Sequence, residues 1–347
     1  MHLSLRSLTF LSLACLGLQA LPALAAATAS GVTVTAVQNG PWSAAPTWSN
    51  GRVPAQGDDV VIPADRIVTY DRNDATAYRS ITVLGRLQFT RAASTALSAG
   101  AIKIGSDARD NSASCGGGQP QAANPGALIV GEPGAPIPQG MNAVINLVPF
   151  NGQNTADLPG LINCGGRLTL HGAALRHPWT KLTADARRGS TSVSVADDIA
   201  DWRVGDRIIV VGTNNGLGQF ADDPPSYRPG ASRYIAPQTE ERTITAINGK
   251  TLTLDTALVH DHGGIAGNFP EVANLTRTVT VRSADTSSMA ARGHSMYHAN
   301  SSGSIGYARF DGLGKEAQIA RYPVHLHMVG SSMRGFSVVG AAVTNSG

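Results

Sequence analysis

The chain has 347 residues, with 39 Gly, 19 Pro, 15% charged residues and a formal net charge of +3. That near-neutral balance, with no basic block, excludes a phosphate-tracking nucleic-acid binder, which presents a basic stripe. Many turn-formers, few charges and no sustained apolar stripe at the 3.6-residue period exclude a helical protein and predict an all-β fold.

In chain order, "MHLSLR" is positively charged, "SLTFLSLACLGLQAL" is apolar and "PALAAA" ends in small residues. This order predicts a secretory signal peptide over 1–26 and a secreted or cell-surface protein. No other apolar run reaches the roughly 18 residues of a membrane span, so no transmembrane segment is expected in the mature chain. Two cysteines remain, Cys115 in "SCGGG" and Cys164 in "NCGGR". In an exported chain two cysteines are expected to form one disulfide.

Residues 28–170 carry short alternating runs separated by turn residues, as a sheet with one buried face requires. Strands are predicted at Val60–Ile62 and Ile67–Tyr70, then within "SITVLGRLQF", "ALSAGAIKIG", "ALIVG", "NAVINLV" and "GRLTLHG", with a polar loop from Asp107 to Pro125. Residues 171–270 form a second β-rich region. Strands are expected at Ser192–Val195 and Trp202–Val211, then a long loop over Thr213–Thr239. A hairpin turning on Asn248-Gly249 follows, the dipeptide that type I′ turns prefer. From 271 onward "LTRTVTVRSAD", "SIGYARFDGLG" and "MRGFSVVGAAVTNSG" repeat one strand-turn pattern. Val279 to Ile305 is 26 residues and Ile305 to Met333 is 28. A near-constant period of that length predicts a solenoid with one coil per repeat, over 271–347. The chain stops inside a unit with no capping element, so the sequence reads as C-terminally incomplete.

The order W..G.VP..GD.VVI, I.V.G.L.F, L.A..I.IG and G.L.LHG, followed by a WT.L segment, "WRVGDRIIVV", "ERTITAINGKTLTL" and "EVANLTRTVTV", resembles the G8 domain family. That family includes fibrocystin, the cell-migration-inducing hyaluronan-binding protein and many exported bacterial proteins. The resemblance implies a G8 β-domain over 28–170, a connecting subdomain over 171–270 and the first coils of a right-handed parallel β-helix over 271–347. It also implies engagement of an extracellular polysaccharide, hyaluronan-like by analogy, by binding or depolymerisation.

Of nine histidines, six lie between His260 and His327. In "RYPVHLHMVG", His325 and His327 are two apart, so on a strand both imidazoles face one way. His298 to His325, Asn300 to His327 and His294 to Arg321 are each 27 residues apart. One coil of that length would stack His298 on His325 and Asn300 on His327, with Arg321 and His294 further along the face. Asp311 of "FDGLG" offers a carboxylate at a turn edge. Three readings stay open. His298, His325 and His327 form a plausible three-nitrogen set for Zn or a similar divalent ion. Alternatively His325, His327, Arg321 and Asp311 do acid–base or charge-stabilising work on a sugar. In the third reading the histidines are a structural ladder in a non-enzymatic adhesin or scaffold. The adjacent carboxylates Asp197-Asp198, Asp222-Asp223 and Glu240-Glu241 point to opposite faces, so they are read as solvated charge, and Asp58 and Asp206 as turn residues. No cofactor other than the metal is implied.

Overall fold

The structure is a computed structural model that describes residues 31–105, 113–115, 125–213, 238–264 and 267–347. The predicted signal peptide, Asp222-Asp223 and most of the two predicted long loops lie outside these residues. Among the described residues there are 24 β-strands and one short 3-10 helix, Ala45–Thr47. The first eleven strands are β1 (Thr33–Thr35), β2 (Gly40–Pro41), β3 (Asp59–Ile62), β4 (Ile67–Tyr70), β5 (Asn73–Val83), β6 (Arg86–Phe89), β7 (Thr95–Ile104), β8 (Ala127–Val130), β9 (Ala143–Leu147), β10 (Gly160–Asn163) and β11 (Arg167–His171). Then come β12 (Trp179–Lys181), β13 (Ser192–Ser194), β14 (Arg207–Val210), β15 (Glu240–Asn248), β16 (Thr251–Leu254) and β17 (Glu271–Asn274). The chain ends with β18 (Val279–Ser283), β19 (His294–Tyr297), β20 (Ser302–Gly306), β21 (Ala308–Asp311), β22 (His325–Leu326), β23 (Val338–Val339) and β24 (Ala342–Thr344).

Two parallel sheets form a β-helix. One runs β1-β3-β5-β7-β9-β18-β21-β24 and branches through β10, β19 and β22; the other runs β2-β4-β6-β8-β11-β20-β23. Inward side chains of successive coils stack as register partners. Val60, Ile81, Ile102 and Leu161 make one such ladder. Leu97, Ile145, Val281 and Phe310 make a second, and Val68, Leu87, Leu128 and Leu168 a third. All twelve are buried. Burial of each such side chain stabilises by about 1.5–3 kcal/mol relative to exposure, so the ladders hold the coils in register. In the first coil Trp42 packs edge-on to Trp48 and Tyr70 at 4.8 and 5.1 Å between ring centroids. Its indole N–H donates to Tyr78 Oη at 3.0 Å.

The branch in the first sheet sets the site. Residues 95–99 of β7 pair with β9, and residues 101–104 pair with β10. Gly100 is the joint between the two faces. A β-carbon there would lie 2.6 Å from the Gln153 side chain and 2.8 Å from the Arg79 carbonyl, so only glycine lets that corner close.

The region 28–170, expected as a separate β-domain, is built of the same parallel coils as the expected solenoid. Ala143 of β9 is the register partner of Val279 of β18, so the coil sequence passes from one to the other. After β10 and β11, which still belong to the coils, residues 174–277 form an insert whose ends meet: the Ala173 N–H donates to Thr278 Oγ1 at 2.9 Å. The insert carries the antiparallel six-stranded sheet β12-β17-β14-β15-β16-β13 with its own apolar core. The hairpin predicted at Asn248-Gly249 is the β15–β16 turn, with Gly249 at φ 58°. Glu240 departs from its reading as solvated charge. It is 5% exposed and accepts from the Val259 and His260 N–H groups, with Arg242 and His262 alongside. Asp58 and Asp206 are turn residues that are also buried. Asp58 pairs with Arg52 at 2.7 Å, and Asp206 accepts from Asn274 Nδ2 at 2.7 Å.

Candidate functional site

On the branched face, Tyr297 of β19 is wholly buried and belongs to the core. Its register partner is Leu326. Alternation therefore turns Met296, His298, His325 and His327 to the outer face. Both imidazoles of the H-x-H do share a side. The coil length is 29 residues here, because Met296 pairs with His325 and Tyr297 with Leu326. His298 thus stands beside His327, at 5.1 Å between ring centroids, and His325 lies 5.2 Å from His327. The expected stacking of His298 on His325 and Asn300 on His327 is replaced by this pairing. Since the error is two residues, the side of the sheet is unchanged and the three imidazoles still gather. Asn300 has left the strand, with φ 66°.

The disulfide forms between Cys115 and Cys164. Cys164 directly follows β10, one rung from His298, whose N–H donates to the Asn163 carbonyl at 2.9 Å. The bond pins residues 113–115 over the outer face, where Ala113, Leu158, Ile162 and Ala101 form a small apolar cluster around it. The Ala113 carbonyl receives His298 Nε2 at 3.3 Å, and the Ala320 carbonyl receives His325 Nδ1 at 3.1 Å. A carbonyl only accepts, so these nitrogens carry the protons and His298 Nδ1 and His325 Nε2 keep the lone pairs. Burial holds both rings below the ordinary histidine range, and His327 pushes in the same direction; the two carbonyls oppose it. Tyr322 stacks on His325 with centroids 5.1 Å apart and planes 25° apart.

Arg321 sits at the edge of this face. Its Nη2 pairs with Asp157 Oδ1, and Asn154 Nδ2 donates to the other Asp157 oxygen at 2.9 Å. Asp311 does not join the histidines. It lies on β21 and accepts from Arg309 at 3.0 Å, Thr344 at 2.9 Å and Asn345 at 2.8 Å, partners that hold its carboxyl below the usual range despite burial. Its expected catalytic role loses its geometric basis, because the strand carrying it belongs to the β18-β21-β24 ladder.

Two groups, Asp157 and Lys315, escape the sequence reading, which also does not foresee the burial of a third, His294, placed further along the face. Asp157 carries no local signal in "NTADLPG". Lys315 is 3% exposed and donates to the Leu158 and Ala290 carbonyls at 3.2 and 2.6 Å; burial and Arg321 push its amine down to about 8. His294 is fully buried against Gly160, and its ring nitrogens make no hydrogen bond of ordinary geometry. Burial, with Arg321 and Lys315, pushes it down to about 3; the Pro159 carbonyl opposes the shift. Among the described residues, no group of three or more His, Cys, Asp or Glu side chains is arranged to hold a metal ion. The three imidazoles as they stand do not converge on one.

Residues 47–183 match the G8 domain family. A G8 domain-containing protein of Dictyostelium discoideum is 28% identical over 214 residues, which cover 59% of this chain and 14% of that protein. Fibrocystin-L of Mus musculus is 24% identical over 363 residues, 88% of this chain and 8% of the relative. The chain therefore spans a small part of the length of these relatives. Among solved structures, the Gp54 tailspike of Acinetobacter baumannii bacteriophage AP22, in complex with A. baumannii capsular saccharide, is matched over 77% of this chain and 30% of that one. The identity there is 10% and the TM-score 0.22. Among the described residues no helix is long and apolar enough to cross a membrane. The family and relative matches support the resemblance read from the sequence: over 47–183 this chain is similar to the G8 domain.

Proposed function

We propose that this protein is exported and engages an extracellular polysaccharide on the outer face of its β-helix, through His298, His325, His327 and Arg321, and that it depolymerises the glycan there. The observation that carries the reading is the pair of fixed tautomers. His298 Nδ1 and His325 Nε2 hold lone pairs, their opposite N–H groups are tied to carbonyls, and burial favours the neutral form. A neutral imidazole of that kind accepts a proton from a sugar hydroxyl or a water, which is general-base chemistry. Arg321, held by Asp157, supplies positive charge beside it. Tyr322, 47% exposed and stacked on His325, offers an apolar ring to a pyranose. A disulfide fits an oxidising compartment, in line with export. A hyaluronan-like glycan is the substrate class by resemblance.

The test is glycan binding and chain-length reduction by the purified protein and by His298→Ala, His325→Ala and His327→Ala. Loss of cleavage with retained folding in His325→Ala supports the reading. Wild-type cleavage in all three variants removes the site. Binding without cleavage by any form favours the adhesin or scaffold. A divalent ion such as Zn is a second reading, favoured by one observation: metal-bound histidines donate their other N–H to a carbonyl, as His298 and His325 do here. Metal content of the purified protein against the His298→Ala and His325→Ala variants decides it.

A further inference from the structure

A concave surface lies where the antiparallel insert leaves the solenoid, at a different corner from the histidines. It is a cleft of about 540 Å³ lined by Leu175, Arg176, Asp198, Asp201 and Tyr307 among others. Three observations converge there.

Tyr307 is the single residue between β20 and β21, and its φ is 49°. A one-residue corner needs the left-handed region, which glycine supplies without strain and a bulky side chain does not. Both adjacent coils place glycine there, and that of the following coil, Gly340, takes the same left-handed φ, 59°. Register makes Gly172 and Gly340 the counterparts of Tyr307, since Gly306 pairs with His171 and with Val339. Both glycines also make room for the tyrosine. A β-carbon on Gly340 would lie 2.5 Å from the Tyr307 ring, and one on Gly172 would lie 2.4 Å from its carbonyl oxygen. Strain of this kind, held in place by its surroundings, collects at functional sites.

The second observation is Asp201. Its Oδ2 accepts from the Arg176 N–H at 2.5 Å, while Oδ1 is shielded from solvent and has no hydrogen-bond partner. A shielded carboxylate oxygen wants a donor. The third is charge. Arg176 is already paired with Asp198 at 2.8 Å, so Asp201 is left as the uncompensated group and the cleft favours hydroxyl donors over anions.

We propose that this cleft binds a neutral pyranose, with the Tyr307 ring against the apolar face of the sugar, the Asp201 carboxylate turning its unpartnered Oδ1 out to accept from a ring hydroxyl, and Arg176 donating to another. The volume lies within the range of small-molecule pockets. The site is independent of the histidine face, and its ligand class differs: an acidic sugar would meet Asp201.

Saturation-transfer NMR on the full chain with methyl β-glucopyranoside, methyl β-galactopyranoside, methyl α-mannopyranoside and, as the acidic probe, methyl β-glucuronide tests this. At least one neutral glycoside is expected to give saturation transfer, and the glucuronide none. Asp201→Asn keeps an oxygen for the Arg176 N–H but replaces Oδ1 by a donor; it should weaken binding by roughly tenfold or more. Tyr307→Gly relieves the corner, so thermal stability should hold or rise while binding is lost, an outcome that a purely structural tyrosine does not give. His325→Ala should leave this binding unchanged. Absence of transfer from all three neutral glycosides, equal transfer from the glucuronide, or undiminished binding in a folded Tyr307→Gly protein overturns the proposal.

Discussion

Replacing both Cys115 and Cys164 by serine tests how the site is held. The bond joins residues 49 apart in sequence. In the loop-entropy description, ΔS is about −2.1 − 1.5R ln n, which for n = 49 gives about −14 cal/mol/K, or about 4 kcal/mol at 25 °C. The small apolar cluster around the bond, with Ala101, Ala113, Leu158 and Ile162, persists in part with serines, so the covalent closure dominates the change. A local consequence follows. The Ala113 carbonyl that fixes the His298 tautomer is two residues from Cys115 and is held in place through it. Urea unfolding of the wild type and the double-serine protein, followed by tryptophan fluorescence, should show a loss of about 3–4 kcal/mol. Nitrogen-detected NMR should show His298 passing from one tautomer to a mixture. A stability loss under about 1 kcal/mol, together with an unchanged His298 tautomer, would refute the account of the pinned segment.

Tyr297→Phe should raise stability by about 1–3 kcal/mol, because the Tyr297 hydroxyl is fully buried with no partner and its ring keeps the edge contact to Phe336; a lower melting temperature contradicts this. Acid should weaken the fold through His294. Its native value is pushed down to about 3, from 6.5 in the unfolded chain, so below 6.5 the unfolded state binds the extra proton. Stability present above 6.5 is therefore lost as pH falls toward 3, by as much as about 5 kcal/mol, and His298 and His325 act with the same sign. Urea midpoints measured from pH 7 to pH 4 should fall steeply for the wild type and less for His294→Gln. Gly160→Ala should cost about 1–3 kcal/mol, since its β-carbon would lie 2.9 Å from His294 Cε1 in a fully packed spot; an unchanged unfolding midpoint contradicts this packing.

The sequence by itself determined whatever depends on neighbours along the chain. The strand Ile67–Tyr70, the core of Asp59–Ile62 and the turn at Asn248-Gly249 follow from alternation and turn chemistry, which act within a few residues. The shared face of His325 and His327 follows from the same period of two. Coil register is different in kind. It is set by how much chain each corner holds and by which side chains stack across coils, so a 27-residue spacing in the text became 29 in the sheet, and Asp311 fell on another ladder. The two-residue error preserved the gathering of imidazoles only because it is even. Continuity of the parallel coils from 33 onward was hidden because an insert of about a hundred residues separates β9's neighbour β18 from it in sequence, while the chain re-enters the corner it left at Ala173 and Thr278. Asp157, Lys315, His294 and the buried Glu240 acquire their character from groups brought in from distant segments. Desolvation and charge pairing of that kind are properties of packing in three dimensions, and only the tertiary structure decided them.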